Sequence, residues 1–240
     1  MNTLPVPLPR SAPRLTLDVV ADFTCPWSFL GLRRVGRALG YLSGLAVPPL
    51  MRWHGFRMPR LGATDTSQAQ AWRAHLAARL PPGVDVELAQ RSLAEAGTEL
   101  GIAFDFGRIA GVPDTTAAHR LSLIAAPEGR LAGVVDGVFR AYFEQGRDIA
   151  DEAELVEIGR AAGLSASALQ AFADPAAELE VLGAEERRLR SLGVANVPNL
   201  LFNGHVLVPG PADVDTYVLA LDQALFPAPA DADARPQRLN

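Results

Sequence analysis

The stretch LDVVADFTCPWSFLGLRRV, residues 17–35, decides how the rest of the chain is read. An apolar, β-branched run over residues 15–23 reads as a buried strand. A helix is expected to follow from Pro26, with Phe29, Leu30, Leu32, Val35 and Leu39 on a broad apolar face. The chain's single cysteine, Cys25, stands at the junction. That is the N-cap position, and Pro26 occupies N1, where its missing N–H costs nothing. First-turn amides and the positive end of the helix both favour a thiolate. Cysteines so placed have pKa values lowered to about 3.5–7.5, from about 8.5 for a free thiol. The plainer alternative is a small buried hydrophobe. One turn further on stands Ser28, whose hydroxyl can donate to the sulfur or bond the first-turn backbone. No second thiol follows, so Cys25 cannot be resolved from within the chain.

Working outward, PPLMRWHGFRM, residues 48–58, alternates as a second strand, and a strand–helix–strand unit implies that the two strands are parallel. From residue 64 to about 190 the pattern is helical. It includes TSQAQAWRAHLAARL, DVELAQRSLAEAGTELG, PEGRLAGVVDGVFRAYFEQG (helical from Pro127), DEAELVEIGRAAG and PAAELEVLGAEERRLRSLG. β character returns in NLLFNGHVLVPG, where Asn203-Gly204 is a hairpin signal. A final helix follows in DVDTYVLALDQAL. Pro198 opens the third strand, a position where no ladder bond is lost and an X-Pro bond can be cis.

A net charge of −5 and the lack of a basic patch argue against a nucleic-acid surface. One cysteine excludes an intramolecular disulfide framework and a cysteine-built zinc site. His54, His75 and His205 have no metal-ligand spacing, so no metal is expected. No apolar run approaches the roughly 18 residues of a membrane helix. The proline-broken start, MNTLPVPLPRSAPR, does not read as a signal peptide, and a cytoplasmic location is expected. Residues 1–13 and 227–240 read as flexible tails.

Taken together, DFTCPWSFLG, RWHGFRMP, DTTAAHRL, RAYFEQGRDIADEAEL and GVANVPNLLFNG make the chain resemble the DsbA-like branch of the thioredoxin superfamily. That branch contains FrnE-type oxidoreductases and 2-hydroxychromene-2-carboxylate isomerases, the latter close to kappa-class glutathione transferases. The resemblance implies an α/β thioredoxin fold carrying a large all-helical insertion. Residues 14–63 and 191–226 would form the thioredoxin domain and 64–190 the insertion. It also places Cys25 beside a cis Val197-Pro198 bond, with the Val197 backbone free to pair with an extended substrate. Cys25 and Ser28 are then the expected catalytic residues. Pro26, Trp27 (as an exposed aromatic platform), Asn196, Val197 and Pro198 are the expected substrate-binding set. His119, in DTTAAHRL, is either site-lining or a structural histidine bonded to a neighbouring loop, the second being favoured.

The departures matter. FrnE-type members usually carry a second cysteine where Ser28 stands, the isomerase branch commonly has serine where Cys25 stands, and Asn196 replaces the family's glycine. The resemblance therefore implies a thiol-disulfide oxidoreductase working through one cysteine by mixed-disulfide exchange. A low-molecular-weight thiol such as glutathione, or a partner protein bearing a thiol or disulfide, would resolve it, with no tightly bound cofactor. A thiol-dependent isomerase or transferase is the second reading and a non-catalytic thioredoxin-like binding module the third. Whether the chain forms a homodimer is left open.

Overall fold

Residues 15–41, 49–59, 68–174 and 176–227 are described by a computed structural model of the chain. Strand β1 (Thr16–Ala21) leads through helix α1 (Pro26–Gly40) to β2 (Leu50–Gly55). β1 and β2 are parallel, in register from Thr16 opposite Leu50 to Ala21 opposite Gly55. Seven helices follow: α2 (Gln68–Ala77), α3 (Val86–Glu99), α4 (Thr116–Ala125), α5 (Leu131–Phe143), α6 (Glu152–Ala161), α7 (Ala166–Phe172) and α8 (Ala176–Ser191). Then come β3 (Asn199–Phe202), β4 (Val206–Pro209) and α9 (Val214–Leu225). The sheet order is β2-β1-β3-β4, with β3 antiparallel to both β1 and β4. Among the described residues no strand lies between β2 and β3. This is the thioredoxin sheet interrupted by helices that the resemblance implied, while the two expected tails lie almost wholly outside the described residues.

Local chemistry accounts for most boundaries. Asn203 and Gly204 both have positive φ, 48° and 74°, in the three-residue turn that joins Phe202 to its partner Val206, closed by His205 N–H on the Phe202 carbonyl. The Asn203 side chain also accepts from Thr16 N–H and donates to the Ala224 carbonyl, tying the hairpin to β1 and α9. Asp85, Asp151, Ser165 and Asp213 cap α3, α6, α7 and α9 by accepting first-turn N–H groups. The expected helix from Pro127 begins only at Leu131. Gly129, with φ 68°, ends α4 in the left-handed region, and Arg130 N–H returns to the Ala125 carbonyl.

Sheet and helical segment share one core. The Phe23 ring, in the turn after β1, lies 5.0 Å from Trp53 of β2 and 5.0 Å from Phe139 of α5. Phe139 in turn stacks on Phe29 of α1 at 5.1 Å, and Phe143 continues the stack. The cysteine-bearing helix is thus clamped between the sheet and α5 by aromatic contacts.

A charged clasp joins α8 to the sheet. His54 Nε2 lies 2.8 Å from Asp18 Oδ1 and its Nδ1 lies 2.6 Å from Glu185 Oε1. The ring thereby bridges a carboxylate of the sheet and a carboxylate of α8. Arg188, together with His54, holds the Glu185 carboxyl down at about 2, against an ordinary 4.5. Burial works to raise Asp18, but its bonds to Arg52 and His54 outweigh that and lower it. Both carboxyls are depressed on folding, so the stability they confer is present above their unfolded values and is lost as pH falls towards 2. Urea midpoints should therefore drop more steeply from pH 5 to pH 3 for the wild-type chain than for Glu185→Gln. Equal slopes would show that the clasp contributes nothing.

Candidate active site

Cys25 is the N-cap of α1, with extended backbone (φ −97°, ψ 109°) and Pro26 at the helix start. Its N–H bonds the Asp22 carbonyl, and its own carbonyl accepts from Ser28 N–H at 3.1 Å. The Val197–Pro198 peptide is cis. The thiol donates to the Val197 carbonyl across 3.6 Å, so residues 172 positions apart meet at the sulfur. Gly31, one turn inside α1, lets the helix approach Pro198: an added Cβ would stand 3.7 Å from its Cγ and 3.3 Å from the Tyr217 hydroxyl.

The sequence-predicted residues sort differently from expectation. Cys25 and Ser28 are buried, at 2% and 1% exposure, and Pro26 and Pro198 are buried with them. Trp27 is half-buried against the core and does not stand free as a platform, because the first turn of α1 is already packed there. Asn196 is exposed, its carbonyl held by the Asn199 side chain at 2.6 Å. The Val197 carbonyl, expected to be free for a substrate strand, is occupied by the Cys25 thiol.

The thiolate expectation is also corrected. Burial, above all, pushes the Cys25 thiol up to about 11. The Ser28 hydroxyl and N–H, and the Trp27 N–H, pull it down, while the Asp22 carboxylate pushes it further up. Helix-end amides do act on the sulfur, but desolvation dominates. With the S–H directed at Val197, the Ser28 hydroxyl has no partner. It becomes a donor to the sulfur once the proton leaves.

Asp22 was not legible as a site residue, since a short acid at a strand end reads as a turn-former. Its carboxylate is 1% exposed and accepts from Thr24 N–H, the Thr24 hydroxyl and, at 2.7 Å, Met58 N–H. His119 Nε2 approaches it at 3.6 Å. Trp53 Nε1–H donates to His119 Nδ1 at 3.0 Å, so the ring proton resides on Nε2, facing Asp22. His119 is completely buried and bears on Cys25 only through Asp22. Gly55 makes this possible, because a Cβ there would sit 2.7 Å from His119 Nδ1. Burial tends to raise Asp22, yet the His119 ring close by, the Met58 N–H and Thr115 together outweigh it and lower the carboxyl. Beside it opens a cleft of about 290 Å³, lined by Thr24, Arg57, Met58, Thr115 and Glu186 among others. No group of His, Cys, Asp and Glu fit to hold a metal ion occurs among the described residues. No described helix is long and apolar enough to cross a membrane.

The chain thus carries a lone cysteine at the start of α1 that faces the carbonyl before a cis proline. Residues 16–222 match the DsbA-like thioredoxin domain, and the chain belongs to that family. Among solved structures it is similar to a probable DsbA oxidoreductase from Streptomyces coelicolor, at 27% identity and TM-score 0.70, covering 95% of this chain and 94% of that one. It also resembles a 2-hydroxychromene-2-carboxylate isomerase, at 16% identity and TM-score 0.58 over 88% and 94% of the two chains. The cytosolic disulfide reductase DsbM from Pseudomonas aeruginosa, solved with GSH, aligns at 22% identity and TM-score 0.54 over 88% and 95%. No curated protein sequence matches the chain.

Iodoacetamide alkylation of Cys25 should show a midpoint above the roughly 8.5 of a free cysteine. Asp22→Asn should lower that midpoint by removing the adjacent negative charge, and Ser28→Ala should raise it. A wild-type midpoint at or below the free value would contradict the burial argument.

Proposed function

We propose that the protein is a thiol-disulfide oxidoreductase that works through Cys25 alone. The observation that carries this reading is the Cys25 sulfur, held 3.6 Å from the Val197 carbonyl ahead of Pro198 in a DsbA-family chain. Similarity to the Streptomyces oxidoreductase supports it. A substrate disulfide displaces the Val197 contact, and the Cys25 thiol loses its proton as the sulfur attacks. The new bond joins Cys25 to one substrate sulfur, and the other substrate sulfur leaves as a thiolate that takes up a proton. A low-molecular-weight thiol such as glutathione then attacks the retained substrate sulfur. This second exchange releases Cys25, which is reprotonated, and leaves the substrate joined to the small thiol. Over this cycle one substrate sulfur is released as a thiol and the small thiol takes its place in a mixed disulfide. A second equivalent of the small thiol then releases the other substrate sulfur, so the two electrons of full reduction come from two small thiols joined as their disulfide. A cytoplasmic setting, where small thiols are abundant and reduced, suits this requirement.

The high thiol pKa gives the reading a direction. A thiol that ionises reluctantly is a poor leaving group, so a mixed disulfide at Cys25 is long-lived. This favours reduction of substrate disulfides over donation of a disulfide.

A glutathione-dependent isomerase or transferase is the second reading, and one observation favours it: the buried Ser28 hydroxyl without a partner. Such a hydroxyl can orient the sulfur of an added thiol.

Reductase activity on a small disulfide should rise with added monothiol and vanish in Cys25→Ala. Ser28→Cys should turn over with less dependence on added monothiol. If Cys25→Ala retains most of a glutathione-dependent conjugation or isomerisation while Ser28→Ala loses it, the second reading replaces the first. A folded chain inactive in both assays would be a binding module.

A further inference from the structure

The helix that follows β2 carries an unusual group of donors. Trp72 and His75, on successive turns of one face of α2, are each 1% exposed. Among the described residues Trp72 Nε1 and both ring nitrogens of His75 have no hydrogen-bond partner, and neither does Arg79 Nε, just past the helix end. Leaving one buried polar group unsatisfied costs about 1–3 kcal/mol, so three donors close together in sequence, one each from Trp72, His75 and Arg79, signal a missing acceptor.

Arg79 sharpens the chemistry. Its guanidinium donates only to two backbone carbonyls, those of His75 at 2.6 Å and Pro59 at 2.9 Å. Among the described residues it makes no ion pair, although Arg33, Arg52, Arg57 and Arg120 each do. The Pro59 contact fixes its position: the next residue back, Met58, donates to Asp22 beside the Cys25 turn. Trp72 packs on Phe143, itself stacked with Phe29 of α1. Burial, and then the Arg79 charge, push His75 down to about 4, so the ring is neutral at pH 7 with one N–H to offer. Of the groups that act on Arg79, the Asp22 carboxylate is the one that carries a negative charge at neutral pH.

We infer that Trp72, His75 and Arg79 form a subsite for a carboxylate carried by the molecule that reacts at Cys25. An indole N–H, an imidazole N–H and the guanidinium Nε–H supply three donors and one positive charge, the complement of a carboxylate, while the second imidazole nitrogen stays an acceptor. The inference deepens the proposed thiol chemistry and rests on it for the identity of the ligand, though binding itself is separable from turnover.

The direct test is binding of 3-(methylthio)propionate, a carboxylate whose sulfur is capped, against its neutral methyl ester. Calorimetry gives the affinity, and the Trp72 indole N–H resonance, assigned with Trp72→Phe, reports the place. The acid should bind about tenfold or more tightly than the ester, as one charge-assisted contact implies, and should shift the Trp72 resonance. Arg79→Gln should abolish the preference and Arg79→Lys should retain part of it. Equal binding of acid and ester, binding by neither, or a preference that survives Arg79→Gln would overturn the subsite and leave ordered water as the partner of these groups. Because no reaction is involved, these results stand whatever happens to the oxidoreductase reading. The source of the carboxylate is decided by rates. Faster release of the Cys25 adduct by 3-mercaptopropionate than by 2-mercaptoethanol, at equal thiolate concentration, assigns it to the small thiol. Faster attack on dithiodipropionate than on hydroxyethyl disulfide assigns it to the disulfide. Equality in both comparisons overturns a role at Cys25.

Discussion

The buried carboxylate of Asp22 is the interaction on which the rest of the site depends. It collects the Thr24 N–H and hydroxyl from the turn, Met58 N–H from beyond β2, and His119 and Thr115 from the start of α4. A buried ion is tolerated only when its lone pairs are filled this completely. In filling them, the chain fixes the turn that aims α1 and brings the helical segment against the sheet. The same charge disfavours ionisation of Cys25. One group therefore shapes the thiol's surroundings and restrains its reactivity.

That restraint changes what a single cysteine does here. A thioredoxin-fold thiol with a strongly stabilised anion leaves easily and makes an oxidant. Cys25 has the helix terminus and the Ser28 hydroxyl, but sits where desolvation outweighs both. The S–H is parked on the Val197 carbonyl, the group an extended substrate would otherwise use. In the proposed exchange substrate binding and thiol activation would be coupled, because displacing the thiol from Val197 frees it towards Ser28. Reduction through a persistent mixed disulfide follows from this arrangement more naturally than disulfide donation.

Much of the fold was legible in local patterns. Alternation and apolar runs marked all four strands, the second overshooting its end by three residues, and Asn203-Gly204 marked the hairpin, because those signals arise from residues adjacent in the chain. Cys25 and Val197-Pro198 could be paired through the resemblance, since motif order carries long-range information that periodicity lacks. What was not legible depended on burial. The helix-cap position of Cys25 predicted a low pKa, and only its burial reverses the sign. Asp22, Gly55 and His119 likewise gain their meaning from one another. Gly55 reads as a breaker until His119 is seen to lie against it.

The central claim is that Cys25 holds substrate as a lasting mixed disulfide that only an outside thiol can release. Intact-mass spectrometry of the reduced chain after one equivalent of hydroxyethyl disulfide tests it most directly. The account predicts a single hydroxyethylthio adduct on Cys25, stable until thiol is added and then lost completely. No adduct on Cys25, or an adduct that decays at the same rate with and without added thiol, would contradict it.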